Sequence, residues 1–396
     1  MFVSALLPLI AATAVVASPV TEVKRNNGGA AVCRSFYADI TASAMNYDYN
    51  AVTGGAPANQ QVLVESSISQ FRAGSNVAAM LAAAPMRNVS GTYSMWFEYC
   101  APTNGAPRGI FQAHHGLVGN AGYWNVRLDN GRNSFAESAA AAGWATLAYD
   151  RLGVGRSAHP DGLQTVQINY EIAQSAVISR MLRAGQLSDL GAFNKIVGVG
   201  HSYGSIMMAG IASVAPTVFD ALVLTGFTSN VTMGPLGLAG FMSTIASVAY
   251  PARFASLPNS YVITPTVSND QLGFFHYPNY TQAALDQFTT TKGEYTLGQQ
   301  NSIGGPYALN RTSYTRPTFI ITGDYDAPFC AANCSVTSLG AGQTQLDTAR
   351  ASFPSVPSAN FSTYVVKDTA HGINFHTTAY TAYQQIIGFV QKVGLN

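Results

Sequence analysis

Residues 197–205 read V-G-V-G-H-S-Y-G-S, an apolar strand running into Gly200-His201-Ser202-Tyr203-Gly204. The G-x-S-x-G follows a short hydrophobic stretch, Lys195 to Val199, and opens a helix-like one through Ile206, Met207, Met208, Ala209 and Ile211. That is the setting a nucleophile elbow requires. A serine on a tight strand-to-helix turn takes a strained backbone conformation, so only small residues fit two positions to either side. The turn lifts the hydroxyl clear of the sheet edge. It also aims the N–H groups of a helix N-terminus at the same place, where negative charge is stabilised. A plain strand-turn-helix corner has the same five residues, so the rest of the chain must decide.

A serine hydroxyl is a poor nucleophile until a base takes its proton, and the base needs an anionic partner to hold it. Downstream of Ser202 stand the histidines His276, His371 and His376. Carboxylates follow strongly apolar strands at two places. One is P-T-F-I-I-T-G-D-Y-D, residues 317–326; the other is F-S-T-Y-V-V-K-D, residues 361–368, which leads into Thr369-Ala370-His371-Gly372. The first supplies an acid at a strand's C-terminal end, and the second delivers a histidine on the loop after the next strand. Order and spacing fit the set Ser202, Asp326, His371.

From residue 93 to the C-terminus, interrupted by one variable insert, the chain resembles the α/β-hydrolases. In that family the acid stands in G-x-x-D after its strand, here Gly323-Asp324-Tyr325-Asp326, so the resemblance implies Asp326 as the acid and leaves Asp324 to cap local N–H groups. The family's histidine sits between a small residue and glycine, matching Ala370-His371-Gly372. His376, without that context, reads as a loop or helix-start residue, and His276 lies in the variable insert. The strand G-I-F-Q-A-H-H-G-L, residues 109–117, ends in His-Gly. In relatives the next backbone N–H is one half of the oxyanion hole, and the residue after the nucleophile is the other. The resemblance therefore implies Leu117 and Tyr203, acting through main-chain amides. His115 is expected to orient this loop, and His114 to be a hydrogen-bonded structural histidine. A third stretch, D-R-L-G-V-G-R-S at 150–157, resembles the turn beside the oxyanion loop, with Asp150 holding it. Its G-x-G could suggest a dinucleotide loop, but the third glycine is missing and His159-Pro160 follows.

Composition bounds the reading. At 396 residues the chain can bury a substantial core. Only 10% of residues are charged, against about a quarter in ordinary domains, and the formal net charge is +1. No basic stripe or acidic tail marks a nucleic-acid partner. Residues 2–16 are apolar and Val15-Val16-Ala17 precedes Ser18, which predicts a signal peptide at 1–17 although it lacks an early Lys or Arg. The run is too short for a comfortable membrane span. Lys24-Arg25 resembles the dibasic processing sites of fungal secreted proteins, which predicts a propeptide at 18–25. Sequons at Asn88, Asn230, Asn279, Asn310, Asn333 and Asn360 are compatible with a secreted glycoprotein. Four cysteines allow three pairings. Cys330 and Cys334 are close enough to staple the loop after Asp326, and Cys33 would then join Cys100. A zinc site lacks the paired C-x-x-C spacing.

Strands are predicted at 92–99, 109–113, 145–149, 195–200, 221–225, 318–322 and 362–366, and helices near 165–184, 205–214 and 377–393. The alternation is that of a mostly parallel, doubly wound α/β sheet. Residues 26–227 and 317–396 form its core. Residues 228–316 break the alternation where the family inserts a helical lid. There Phe274, Phe275, Tyr277 and Tyr280 either line an acyl pocket or pack the lid's own underside. Met233 to Tyr250 is apolar but interrupted by Gly, Pro and Ser, against a membrane span.

The resemblance implies a secreted, extracellular serine hydrolase that cleaves a small-molecule carboxylic ester with an apolar acyl group through an acyl-enzyme, with no cofactor and no metal. Serine at 202 argues against the epoxide-hydrolase and haloalkane-dehalogenase branches, which carry an aspartate nucleophile. The alternatives are an amidase or aminopeptidase, a lyase or acyltransferase of secondary metabolism on the same triad, and, least favoured by a full set of site residues, a non-catalytic binding protein. Substrate identity and oligomeric state are not legible.

Overall fold

The computed structural model describes residues 22–25, 29–230, 234–336, 340 and 342–396. The expected leader at 1–17 and the start of the expected propeptide lie outside the described residues. The strands are β1 (Glu22–Arg25), β2 (Ala31–Tyr47), β3 (Met86–Pro102), β4 (Ile110–His114), β5 (Ala145–Tyr149), β6 (Ile196–His201), β7 (Ala221–Thr225), β8 (Thr244–Ile245), β9 (Tyr261–Ile263), β10 (Tyr295–Thr296), β11 (Thr318–Tyr325) and β12 (Phe361–Ala370). Among the described residues, nine of them form one sheet in the order β1-β2-β3-β5-β4-β6-β7-β11-β12. From β5 to β12 every pairing is parallel, and β1, β2 and β3 add an antiparallel flank.

The parallel strands are legible because they are buried on both faces. β4, β5, β6 and β7 are buried at every position, so they read as unbroken runs such as I-V-G-V-G and A-L-V-L-T. Helices Ile168–Ala184 and Tyr203–Val214 cover one face, and Phe135–Ala141 with Ala379–Lys392 cover the other. The expected 377–393 periodicity is core packing: Tyr383, Ile386, Ile387 and Val390 are all buried. β4 pairs with both β5 and β6, so connections leave these neighbours in opposite directions. Ligand crevices of doubly wound sheets open at such a reversal, beyond the strands' C-terminal ends.

Three features depart from the sequence reading. The strand expected at 92–99 extends over all of β3. β2 was not anticipated, because half of its buried face is Ala (Ala31, Ala38, Ala42 and Ala44) and its outer face mixes Arg34, Ser35, Asp39, Thr41 and Ser43 with Val32, Tyr37 and Met45. The A-V-C-R-S-F-Y-A-D-I-T-A-S-A-M-N-Y alternation therefore carries little hydrophobic contrast. Between β2 and β3, after the single turn Asn50–Thr53, lie two longer unexpected helices, Gln60–Phe71 and Val77–Ala82. Residues 228–316 contain several short helices and a small antiparallel sheet, β10-β9-β8, with a satellite core of Ala246, Phe254, Tyr261 and Ile263. A fully buried Lys292–Asp270 pair, to which Thr264 and Thr289 add hydrogen bonds, braces this segment. Disulfides join Cys33 to Cys100, directly opposed on β2 and β3, and Cys330 to Cys334 just after β11. No helix among the described residues is long and apolar enough to cross a membrane.

Candidate active site

Ser202 directly follows β6, at the N-cap of the helix Tyr203–Val214, with φ 56° and ψ −119°, a conformation that L-residues rarely adopt. Its N–H donates to the Thr225 carbonyl at 2.9 Å, and its own carbonyl accepts from the N–H groups of Ser205 and Ile206, starting the next helix. The two flanking glycines are sterically required. A Cβ on Gly200 would collide with the Gly204 backbone, and one on Gly204 would collide with the His114 carbonyl at the end of β4. The strain of the elbow is therefore held by backbone-to-backbone contact.

Asp326 follows β11, caps the short helix Ala327–Cys330 and is fully buried. Its Oδ1 accepts from Phe329 N–H at 3.1 Å; its Oδ2 accepts from Thr322 Oγ1 at 2.6 Å and from His371 Nδ1–H at 2.8 Å. A register shift between Gly323 and Tyr325 lets the end of β12 cross tightly over β11, where a Cβ at Gly323 would collide with Thr369. That crossing sets His371 against Asp326. Nε2 of His371 is buried without a partner, and Ser202 Oγ makes no hydrogen bond among the described residues. Each residue borders the end of β7, and among the described residues no hydrogen bond joins His371 Nε2 to Ser202 Oγ. A Cβ on Gly226, next to the Thr225 that holds Ser202, would lie 2.8 Å from His371 Cε1.

Asp324 is placed as expected of a turn residue: its Oδ1 accepts from Thr369 N–H at 3.1 Å. His376 is more than a loop residue. It is fully buried, its Nε2 accepts from the N–H groups of His276 and Ala370, and its Nδ1–H donates to the Gly372 carbonyl. Burial lowers its pKa to about 4, so it is a neutral pin for the His371 loop. Phe274 and Phe329 flank the His371 ring, with centroids 5.6 and 5.4 Å away. Phe275 packs on Phe375 and His376. This aromatic cluster supports the histidine loop; Phe274, Phe275, Tyr277 and Tyr280 are not in the cavity lining, to which the insert contributes other residues, Leu238 and Phe241 among them.

The His-Gly loop after β4 brings Gly116 against Ser202: a Cβ there would sit 2.9 Å from Ser202 Cβ. Leu117 and Tyr203 follow Gly116 and Ser202 directly, and among the described residues neither N–H has an internal partner. His115 holds the loop. Its Nε2 accepts from Arg151 N–H, so Nδ1 carries the proton and donates to the Gly116 carbonyl at 2.8 Å. Burial and the neighbouring Arg151 charge keep its pKa well below the ordinary histidine value. His114 is structural, bonded to Ser175 Oγ at 2.7 Å, with burial lowering its pKa to about 3. Asp150 accepts from Ala121 and Arg156 N–H groups, holding the glycine loop.

Ser202 and Leu117 lie in the lining of a cavity of about 820 Å³. One wall comes from the insert through Leu238, Phe241, Ile303 and Tyr307; the other comes from the unanticipated helices through Val64, Ile68 and Leu81. Sequence reasoning also missed a buried cluster behind the elbow, formed by Arg151, Glu171, Tyr203 and Gln299. Its signal was a single Glu in the otherwise uncharged turn I-N-Y-E-I-A-Q-S.

The sequence matches the α/β hydrolase family over residues 113–382, more than half of the chain. The chain belongs to the α/β hydrolase family. No curated protein sequence matches it. Among solved structures, this α/β hydrolase is similar to a monoacylglycerol lipase of Paleococcus ferrophilus. The two are 14% identical, with 76% of this chain and 99% of that one covered and a TM-score of 0.50. It is also similar to a soluble variant of the monoglyceride lipase of Saccharomyces cerevisiae, at 12% identity, 76% and 92% coverage and a TM-score of 0.51. A lipase in its open form gives 17%, 76% and 95%, and 0.50. At these identities the likeness is one of fold.

Proposed function

We propose that this α/β hydrolase is a serine esterase acting on neutral carboxylic esters with an apolar acyl group. Ser202 attacks the ester carbonyl while His371 Nε2 takes its proton. The same proton then passes to the leaving alcohol, and water repeats the sequence to release the acid. Asp326 holds the imidazole with its proton on Nδ1 and stabilises the charged form. The Leu117 and Tyr203 amides bind the tetrahedral oxyanion, and one such donor is worth about 10²–10³ in rate.

The observation that carries the reading is Ser202, strained and unbonded, in the wall of an apolar cavity. Among the described residues the cavity lining carries no charged side chain. A free α-amino group would find no counter-ion there, which favours a neutral ester over an aminopeptidase substrate. We read residues 228–316 as the lid and the helices Gln60–Phe71 and Val77–Ala82 as its opposing wall. Two disulfides, the sequons and the apolar leader support a secreted protein.

The test is hydrolysis of p-nitrophenyl esters from acetate to palmitate by the wild type and Ser202→Ala, with fluorophosphonate labelling of both. Activity and labelling that vanish in the variant support the reading, and the chain-length optimum sizes the acyl pocket. Labelled Ser202 without turnover of any ester refutes ester hydrolysis and redirects attention to amide or lyase chemistry.

A further inference from the structure

The oxyanion donors are backbone N–H groups, so whatever fixes their peptide planes fixes the hole. A trans peptide is planar and its C=O and N–H point in opposite directions. The Leu117 N–H therefore points away from the Gly116 carbonyl of the same plane. That carbonyl is held from behind by His115 Nδ1–H at 2.8 Å and by Arg151 Nη2 at 3.2 Å. Arg151 Nε also donates to the preceding carbonyl, His115 O, at 3.1 Å, and its backbone N–H holds the His115 ring. One buried arginine thus grips both peptide planes leading into Leu117.

Arg151 is itself held by Glu171, fully buried with it. The same carboxylate accepts from Tyr203 Oη at 2.6 Å, and Tyr203 carries the second donor. The Arg151 guanidinium lies over the Tyr203 ring, 4.4 Å from its centroid. A third bond to Glu171 comes from Gln299 Nε2 at 2.9 Å, from the helix Leu297–Ser302, whose Gln300 and Ser302 line the cavity. A generic buried ion pair has no reason to end on these particular carbonyls and on the residue after the nucleophile.

We infer that Arg151 and Glu171 are positioning residues for the oxyanion hole: Arg151 aims the Leu117 amide through the carbonyls of His115 and Gly116, and Glu171 ties Arg151 to Tyr203. The inference rests on the ester-hydrolase reading. Neither side chain touches substrate. Gln299 makes the tie sensitive to the seating of the insert, so lid and hole are mechanically joined.

The experiment compares wild type, Arg151→Gln, Glu171→Gln and Tyr203→Phe. The readouts are kcat and KM on the best p-nitrophenyl ester and the affinity for an alkyl trifluoromethyl ketone of matching chain length. The ketone adds Ser202 Oγ reversibly to its carbonyl carbon, and the resulting alkoxide occupies the same amides. A donor misplaced by about 1 Å costs about 10²-fold. We expect kcat to fall about 10²-fold in Arg151→Gln with KM nearly unchanged, and ketone affinity to fall by the same factor. Tyr203→Phe, which keeps the ring and the backbone, should lose about tenfold in both. Should burying an unpaired charge unfold Arg151→Gln or Glu171→Gln, Tyr203→Phe decides. An active wild type beside folded variants that keep kcat and ketone affinity within twofold, or lose them through KM alone, overturns the positioning role and leaves the esterase reading standing. A wild type that neither hydrolyses esters nor binds the ketone overturns both.

Discussion

Replacing Asp326 by Asn changes one oxygen into an NH2 and almost no volume, yet the surroundings make the swap severe. The carboxylate receives three donors: Phe329 N–H on Oδ1, and Thr322 Oγ1 and His371 Nδ1–H on Oδ2. An amide has one acceptor oxygen. If that oxygen stays on His371, the new NH2 faces the buried Phe329 N–H, donor against donor, at about 1–3 kcal/mol. The preferred arrangement keeps Phe329 on the oxygen and turns the NH2 toward Thr322 and His371. The threonine hydroxyl can rotate to accept. The imidazole can accept only by moving its proton to Nε2, where it can no longer take the Ser202 proton. A wrong tautomer of this kind costs about 10⁴ in kcat, or about 5.4 kcal/mol at about 1.36 per decade. Asp324→Asn is the control: its Oδ1 accepts one N–H, which an amide oxygen does equally well. Its contact with the well-exposed Lys367, at 3.8 Å, is worth less than about 1 kcal/mol. The assay is kcat on a p-nitrophenyl ester, with thermal melts to confirm folding. Retention of more than about a tenth of kcat by folded Asp326→Asn, or a larger loss in Asp324→Asn, refutes the assignment of the acid.

Three further outcomes are expected. His376 has a folded pKa of about 4 against an ordinary 6.5, so its stabilisation is complete above pH 6.5 and is lost as pH falls from there through 4; by pH 4.5 the loss amounts to about 2–3 kcal/mol. Urea melts at pH 7 and 4.5 should lose that much more stability in wild type than in His376→Gln, and equal slopes would contradict the neutral pin. Gly204→Ala forces a methyl into the β4 carbonyls and should cost at least about 1–3 kcal/mol and about 10²-fold in kcat, whereas Gly388→Ala, with open space at its Cβ, should be neutral or stabilising by up to about 1 kcal/mol. Lys292→Met strands Asp270 in the interior and should destabilise by about 3–5 kcal/mol, with Asp270→Leu/Lys292→Met recovering most of it in denaturant titrations. A double variant no more stable than the single one would show that the pair contributes more than mutual neutralisation.

The parts of this protein that are written in the sequence are those enforced by local sterics and by complete burial. Gly200 and Gly204 flank Ser202 because the turn presses backbone on backbone, and no other residue fits there. The strands β4 to β7 read as apolar runs because neither face meets water. The positions of Asp326 and His371 follow from strand ends, which period and punctuation mark. Tertiary structure alone decided the rest, because it depends on segments far apart in the chain. Val64 and Leu238 line the same cavity only through packing that no local pattern encodes. β2 hid because small Ala side chains fill half of its buried face while Val32, Tyr37 and Met45 sit on the outer one. Glu171 was visible as a stray charge in a helix, but its role required knowing that Arg151, Tyr203 and Gln299 converge on it. A side chain's partners are set by where the fold brings them, and a linear sequence records only the residues between.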